Sequence, residues 1–153
     1  MTILGIETSC DETSASILKD NVVLSNIVVS QLVHVNFGGV VPALASKDHE
    51  KLINEVVNKA LEDSNCSFSD LDAVSVTQGP GLIGSLMIGL NYAKGVCVGL
   101  KIPLVGVNHL LGHIASGFIN NNIRYPFLCL LVSGGHTQIW KVENSQKYKI
   151  IST

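Results

Sequence analysis

The chain has 153 residues, 46% of them apolar and 14% charged, with a formal net charge of -2. That balance excludes a disordered polymer and suits a core-forming domain, which at this length buries about 70% of its unfolded surface. It also excludes the basic face that drives nonspecific nucleic-acid binding, so a polynucleotide substrate would need basic surface elsewhere or on a partner.

Ile3-Leu4-Gly5-Ile6 is a short apolar run and predicts a buried strand. The polar patch from Glu7 to Thr13 reads as a hairpin turn, and Ala15–Leu18 and Val22–Ser30 continue as second and third strands. Gly38-Gly39 and Pro42 mark a loop. Leu52, Ile53, Val56, Val57, Ala60 and Leu61 repeat at helical spacing, with Ser46 as the expected N-cap and Glu55–Lys59 as an i,i+4 pair. Ala73–Thr77 predicts a strand, Gly79-Pro80-Gly81 a break, and Leu82–Gly99, apolar nearly all round, a buried helix.

Residues 73–93 carry no charge, but their four glycines and one proline argue against a membrane span. Pro103–Val107 predicts a strand, and Asn108 the cap of a helix from His109 to about Asn120. Phe127–Val132 and Thr137–Val142 predict strands around a Ser-Gly-Gly-His turn, and Tyr148–Ser152 a third. A three-strand meander followed by alternating helices and strands predicts an α/β fold, a mixed sheet covered on both faces by helices, ribonuclease-H-like in outline. Cys10, Cys66, Cys97 and Cys129 form no CxxC pair and read as reduced thiols of a cytoplasmic protein. The N-terminus has neither transit nor signal-peptide character.

A shift of 124 residues lays Ile3-Leu4 on Phe127-Leu128, Ile6 on Leu130, Ser9 on Ser133 and Thr13 on Thr137. Read as a repeat, this gives a first lobe over 1–125 and the opening hairpin of a second, similar lobe over 126–153. Two such lobes form a cleft with a polar turn on each wall, offering N–H groups to phosphate.

His109 and His113 stand four apart on one helix face, where two imidazoles either bind a divalent metal or merely flank the helix. Zinc proteases place Glu directly after the first His; here Leu110 stands there. A catalytic metal normally takes three protein ligands, and spacing singles out none of His34, His49 and His136 as the third. Ser133-Gly134-Gly135-His136 is either a phosphate-approaching glycine turn or an ordinary tight hairpin. Asp11 and Glu12 act as a base or hold a metal-bound water, unless simply solvated. Gly79-Pro80-Gly81 either meets an anion at the following helix start or only turns the chain.

Taken together, LGIETSCDET (4–13), FGGVVPALASKDH (37–49), TQGPGLIGSL (77–86), VNHLLGH (107–113) and FLCLLVSGGHTQ (127–138) resemble, in order and spacing, the TsaD (Gcp/YgjD) family. The resemblance implies an actin/hexokinase-like fold with two lobes. It implies transfer of threonylcarbamoyl from threonylcarbamoyl-adenylate to the adenosine beside the anticodon of tRNA. Also implied are one divalent metal, iron or zinc, held by His109 and His113 with a C-terminal Asp outside these residues. ATP or threonylcarbamoyl-adenylate would contact Leu131, Val132, Ser133, Gly134 and Gly135, and Asp11 and Glu12 would act at the active site.

Expected partners are tRNA and TsaB-like and TsaE-like proteins, with a homodimer favoured by an exposed sheet edge. The family usually has Glu where Ala43 stands and Arg where Lys47 stands, departures that bear on activity or partner docking. A lone first lobe is expected to bind metal weakly and to be inactive. The competing expectations are a non-catalytic TsaB-like scaffold and, less favoured, a glycoprotein endopeptidase.

Overall fold

The computed structural model describes residues 1–119, 121–133 and 137–153. They group into two compact units, Met1–His109 and Leu110–Thr153. The sequence reading instead divides the chain at 125/126, ahead of the second meander. Gly134, Gly135 and His136 lie outside the described residues, as does Asn120, the expected end of the third helix.

In the first unit, β1 (Thr2–Glu7), β2 (Glu12–Lys19) and β3 (Val22–Ser30) form the expected antiparallel meander. β4 (Ala73–Gly79) and β5 (Leu104–Asn108) extend the sheet in parallel from β1, giving the order β3-β2-β1-β4-β5. Strict alternation drives one face inward: Leu4 and Ile6 of β1 lie directly beside Ile17 and Ala15 of β2. Val74 and Val76 of β4 join them on that face.

Two helices cover it. α1 (Pro42–Asp63) contributes Ile53, Val56, Val57, Ala60 and Leu61, and α2 (Ile83–Leu100) contributes Ala93 and Cys97 to the same apolar cluster. Both helices pack on the same face of the sheet.

α1 starts four residues before the expected cap. Pro42 occupies its first turn, where the missing N–H costs nothing, and Val41 is the N-cap. Ser46 is therefore inside the helix, donating its hydroxyl back to the Pro42 carbonyl at 3.0 Å. Lys59 pairs with Glu62 and Asp63, not Glu55. Ala43 and Lys47 are both exposed, one turn apart.

α2 is not buried all round. Its inner stripe is the small-residue set Ser85, Gly89, Ala93 and Cys97, while Ile83, Met87 and Val98 are exposed. By length and composition it is the one described helix able to cross a membrane, yet that small-residue stripe lies against the sheet. Gly89 permits the close approach, since a Cβ there would strike Thr8 Oγ1. All four cysteines are free thiols.

The second unit is built on β6 (Phe127–Val132), β7 (Thr137–Asn144) and β8 (Lys147–Ser152), an antiparallel meander in the order β6-β7-β8. α3 (His109–Ser116) supplies Leu110, Leu111 and Ile114 to a cluster with Phe127, Cys129, Leu131, Trp140 and Val142. The predicted repeat has a structural counterpart. Ile3 pairs with Leu18, and 124 residues later Phe127 pairs with Val142. Ser16 pairs with Asn26, and Trp140 with Ile150. The first hairpin of the second meander thus shares the register of the first, while the second hairpin matches it at Trp140 and Lys141 and departs at the irregularities on either side.

Candidate active site

The carboxyl ends of parallel strands are where α/β sheets usually place ligands, and in the first unit β1, β4 and β5 all end at one edge. β1 ends at Glu7, β4 carries Thr77 near its end, and β5 hands over to α3 at His109, with Asn108 paired beside Gly79.

These ends meet on the Glu7 carboxylate. Its Oε2 accepts a hydrogen bond from Thr77 Oγ1 at 2.6 Å and lies 3.1 Å from His109 Nδ1. Its Oε1 accepts the Ser9 backbone N–H. Ser9 Oγ is 3.2 Å from the same His109 nitrogen. Burial pushes the Glu7 carboxyl up. The hydrogen bonds from Ser9, Thr77 and His109 outweigh that and hold it below its ordinary value. Glu7 is therefore ionised at neutral pH and can only accept. The proton between it and His109 belongs to Nδ1.

The turn between β1 and β2 is braced from below. Leu82 N–H donates to the Ser9 carbonyl at 2.8 Å, and Thr8 Oγ1 donates to the Ser85 carbonyl at 2.9 Å. A Cβ on Gly81 would run into the Ser9 carbonyl, so a side chain there would force the turn off α2. This is what the Gly79-Pro80-Gly81 break does in this structure: it lets the start of α2 press against the residues that hold His109.

His34 and His49 are both occupied by structure. His49 is fully buried; its Nε2–H donates to the Cys10 carbonyl at 3.0 Å and its Nδ1 accepts from Thr13 Oγ1 at 2.7 Å. His34 Nδ1 accepts the Val41 N–H and its Nε2 meets Gln31 Oε1 at 2.9 Å. Neither has a ring nitrogen left for a metal.

Asp11 sits half-buried in the turn, where desolvation, followed by its carboxylate, raises the Cys10 thiol to about 11. Glu12 opens β2, exposed, and accepts from Ser30 Oγ. The hydrogen bonds described for His109 run to Glu7 and Ser9 rather than to this acidic pair. Leu131 is a core residue of the second unit, whereas Val132 and Ser133 are exposed.

The donor set fits a divalent metal in part. A neutral His109 that donates from Nδ1 to the Glu7 carboxylate has its lone pair on Nε2, and α3 places His113 one turn further on with an exposed side chain. Among the described residues no group of three His, Cys, Asp or Glu is arranged around a metal position. Sequence reasoning passed over Glu7, Ser9 and Thr77. Two of them lie in the first quoted motif and one in the third, and only their convergence marks them.

A family model described as TsaD, tRNA N6-adenosine threonylcarbamoyltransferase, matches residues 22–153. Curated relatives bear the same description. One from Clostridium perfringens is 52% identical over 97% of this chain, one from Prosthecochloris aestuarii 51% over 99%, and one from Trichlorobacter lovleyi 46% over 99%. The chain spans 45% of the length of each of these relatives. Among solved structures, YeaZ from Pseudomonas aeruginosa superposes with a TM-score of 0.65 at 13% identity, over 100% of this chain and 67% of that one. The ethanolamine utilization protein EutJ from Carboxydothermus hydrogenoformans superposes at 0.58 and 12% identity, over 100% of this chain and 52% of that one. These neighbours have the actin/hexokinase-like fold, and so does this chain.

Proposed function

The chain belongs to the TsaD family, and from that membership we propose that it forms the N-terminal part of an enzyme placing threonylcarbamoyl on tRNA. The donor is threonylcarbamoyl-adenylate and the acceptor is the N6 amino group of the adenosine beside the anticodon. The observation that carries this reading is the convergence of three separate family-like motifs. Glu7 and Ser9 come from the first, Thr77 from the third and His109 from the fourth, all at one edge of the sheet.

His109 and His113 would hold a divalent metal, zinc or iron, which when bound supplies Lewis-acid polarisation of the acyl carbonyl. In the transfer, the new bond forms between N6 and the carbamoyl carbon, the carbon–oxygen bond to phosphate breaks, and AMP leaves. Asp11 or Glu12, on the turn and at the start of β2, would take the proton lost by the amino group. N–H groups near Val132 and Ser133 would hold the phosphate. Gly134 and Gly135 complete that proposed stretch. TsaB-like and TsaE-like proteins and a second copy of the chain are the proposed partners, and the free thiols suit a reducing cytoplasm. Leu110 after His109 leaves no general-base Glu for a zinc protease.

The test is metal content and turnover. A protein extended to its relatives' length should hold about one metal per chain, and His109→Ala should lose it. Absence of stoichiometric metal in that protein would remove the catalytic reading. Residues 1–153 alone should bind metal weakly and leave threonylcarbamoyl-adenylate untransferred; turnover by this chain would show that it needs no further ligand.

A further inference from the structure

We infer that Glu7 is a positioning residue for His109: it locks the imidazole in the tautomer with its proton on Nδ1, making Nε2 the nitrogen that acts on the site's ligand. The inference deepens the proposed metal reading and rests on it only for the nature of that ligand.

Three donors converge on one carboxylate. The Ser9 N–H fixes Oε1, and Thr77 Oγ1–H fixes Oε2 at 2.6 Å, so the acid cannot rotate away from the ring. With both oxygens pinned, the remaining acceptor direction of Oε2 faces His109 Nδ1 at 3.1 Å. An ionised carboxylate has no proton to give, so only an Nδ1–H ring satisfies that contact. Ser9 Oγ, 3.2 Å from the same nitrogen, can accept the same proton; were it to donate to a bare Nδ1 instead, the Nδ1 lone pair would face the Glu7 carboxylate at 3.1 Å with no proton between them. A carboxylate behind an imidazole orients the ring and raises the basicity of the opposite nitrogen, and removing such a partner typically weakens metal binding about 10–100-fold. The arrangement is long-range in sequence: Glu7 and Thr77 are 70 residues apart, and Glu7 and His109 are 102 apart. Strand ends, not a local motif, bring them together.

The experiment reads the tautomer directly. Metal-free protein, labelled with 15N at histidine, is examined by two-bond proton–nitrogen NMR at about pH 8, above the ordinary imidazole pKa of about 6.5. His109, assigned by its loss in His109→Ala, should be Nδ1-protonated in the wild type. In Glu7→Ala the population should move toward the Nε2–H form that free imidazole prefers. Glu7→Gln, which keeps one carbonyl oxygen, should fall between. A wild-type His109 protonated on Nε2 overturns the inference even if no Glu7 variant folds, and so does an unchanged tautomer in a folded Glu7→Ala protein.

Titration with zinc alone then tests the consequence. Glu7→Ala should bind about 10–100-fold more weakly; equal affinity would overturn Glu7's part in ligand binding. If His109→Ala binds zinc as the wild type does, the metal assignment fails. The tautomer, measured without metal, still decides the role of Glu7.

Discussion

A histidine with no exposed surface has to remain neutral or bring the fold down with it. His49 is such a residue, with its Nε2 proton given to the Cys10 carbonyl and its Nδ1 lone pair to Thr13. Burial holds its pKa below the ordinary value, although the Cys10 carbonyl and the Glu7 and Asp11 carboxylates pull the other way. As pH falls through the ordinary 6.5, the unfolded chain takes up this proton and the folded chain does not. The stability His49 contributes is therefore complete above about 6.5, declines as pH falls below it, and levels off once pH passes the lowered folded value. Urea midpoints should decline as pH falls below about 6.5, before Glu7, an ordinarily lower-titrating carboxyl, begins to matter. His49→Gln should flatten that slope while costing about 1–3 kcal/mol at neutral pH. An unchanged slope would show that some other group titrates. This role is invisible in the sequence, where spacing sets His109 apart with His113 but gives no reason to tell His49 from His34. Their fates are set by partners up to 102 positions away, which no periodicity reports.

Whole elements were far more legible than single contacts. β1, β2 and β3 could be read because apolar and small polar residues alternate, and α1 because its stripe repeats at helical spacing. α2 misled because a helix apolar on every side reads as buried on every side. Only its contacts show that the buried side is the one lined by Ser85, Gly89, Ala93 and Cys97. There the packing is unforgiving: Gly89→Ala places a methyl on Thr8 Oγ1, and overpacking of this kind costs about 1–3 kcal/mol. The strain should propagate to the turn, since Thr8 precedes Ser9, which contacts both Glu7 and His109. A double-mutant cycle with Thr8→Ala, followed by urea unfolding, should recover much of the loss. Strictly additive penalties would mean that α2 yields at Gly89 without pressing on the turn.

At the scale of the molecule, the shared register of the two leading hairpins turns a faint echo of sequence into a repeat whose copies differ in cover. Leu4 and Ile6 of the first copy are 0% and 4% exposed beneath α1 and α2. Their counterparts in the second copy, Leu128 and Leu130, are 66% and 64% exposed. α3 does not cover them, because Leu110, Leu111 and Ile114 pack with Phe127, Cys129 and Leu131, the alternate residues of β6. Side chains one apart on a strand point to opposite faces, so the cluster of the second unit lies on the side that does not carry Leu128 and Leu130. Equivalent substitutions should then have unequal costs in this chain. Ile6→Thr removes buried apolar surface and inserts a hydroxyl, costing about 2–4 kcal/mol by far-UV circular dichroism. Leu130→Thr should shift stability by no more than about 0.5 kcal/mol. The chain's one tryptophan, Trp140, is buried in the second unit's own cluster, so its fluorescence reports that unfolding directly. In a protein of the relatives' full length, where a second helical layer would sit on that face, the Leu130 substitution should become as costly as Ile6→Thr. Equal costs already in the 153-residue chain would mean that Leu130 is covered here, and that the asymmetry between the copies is not real.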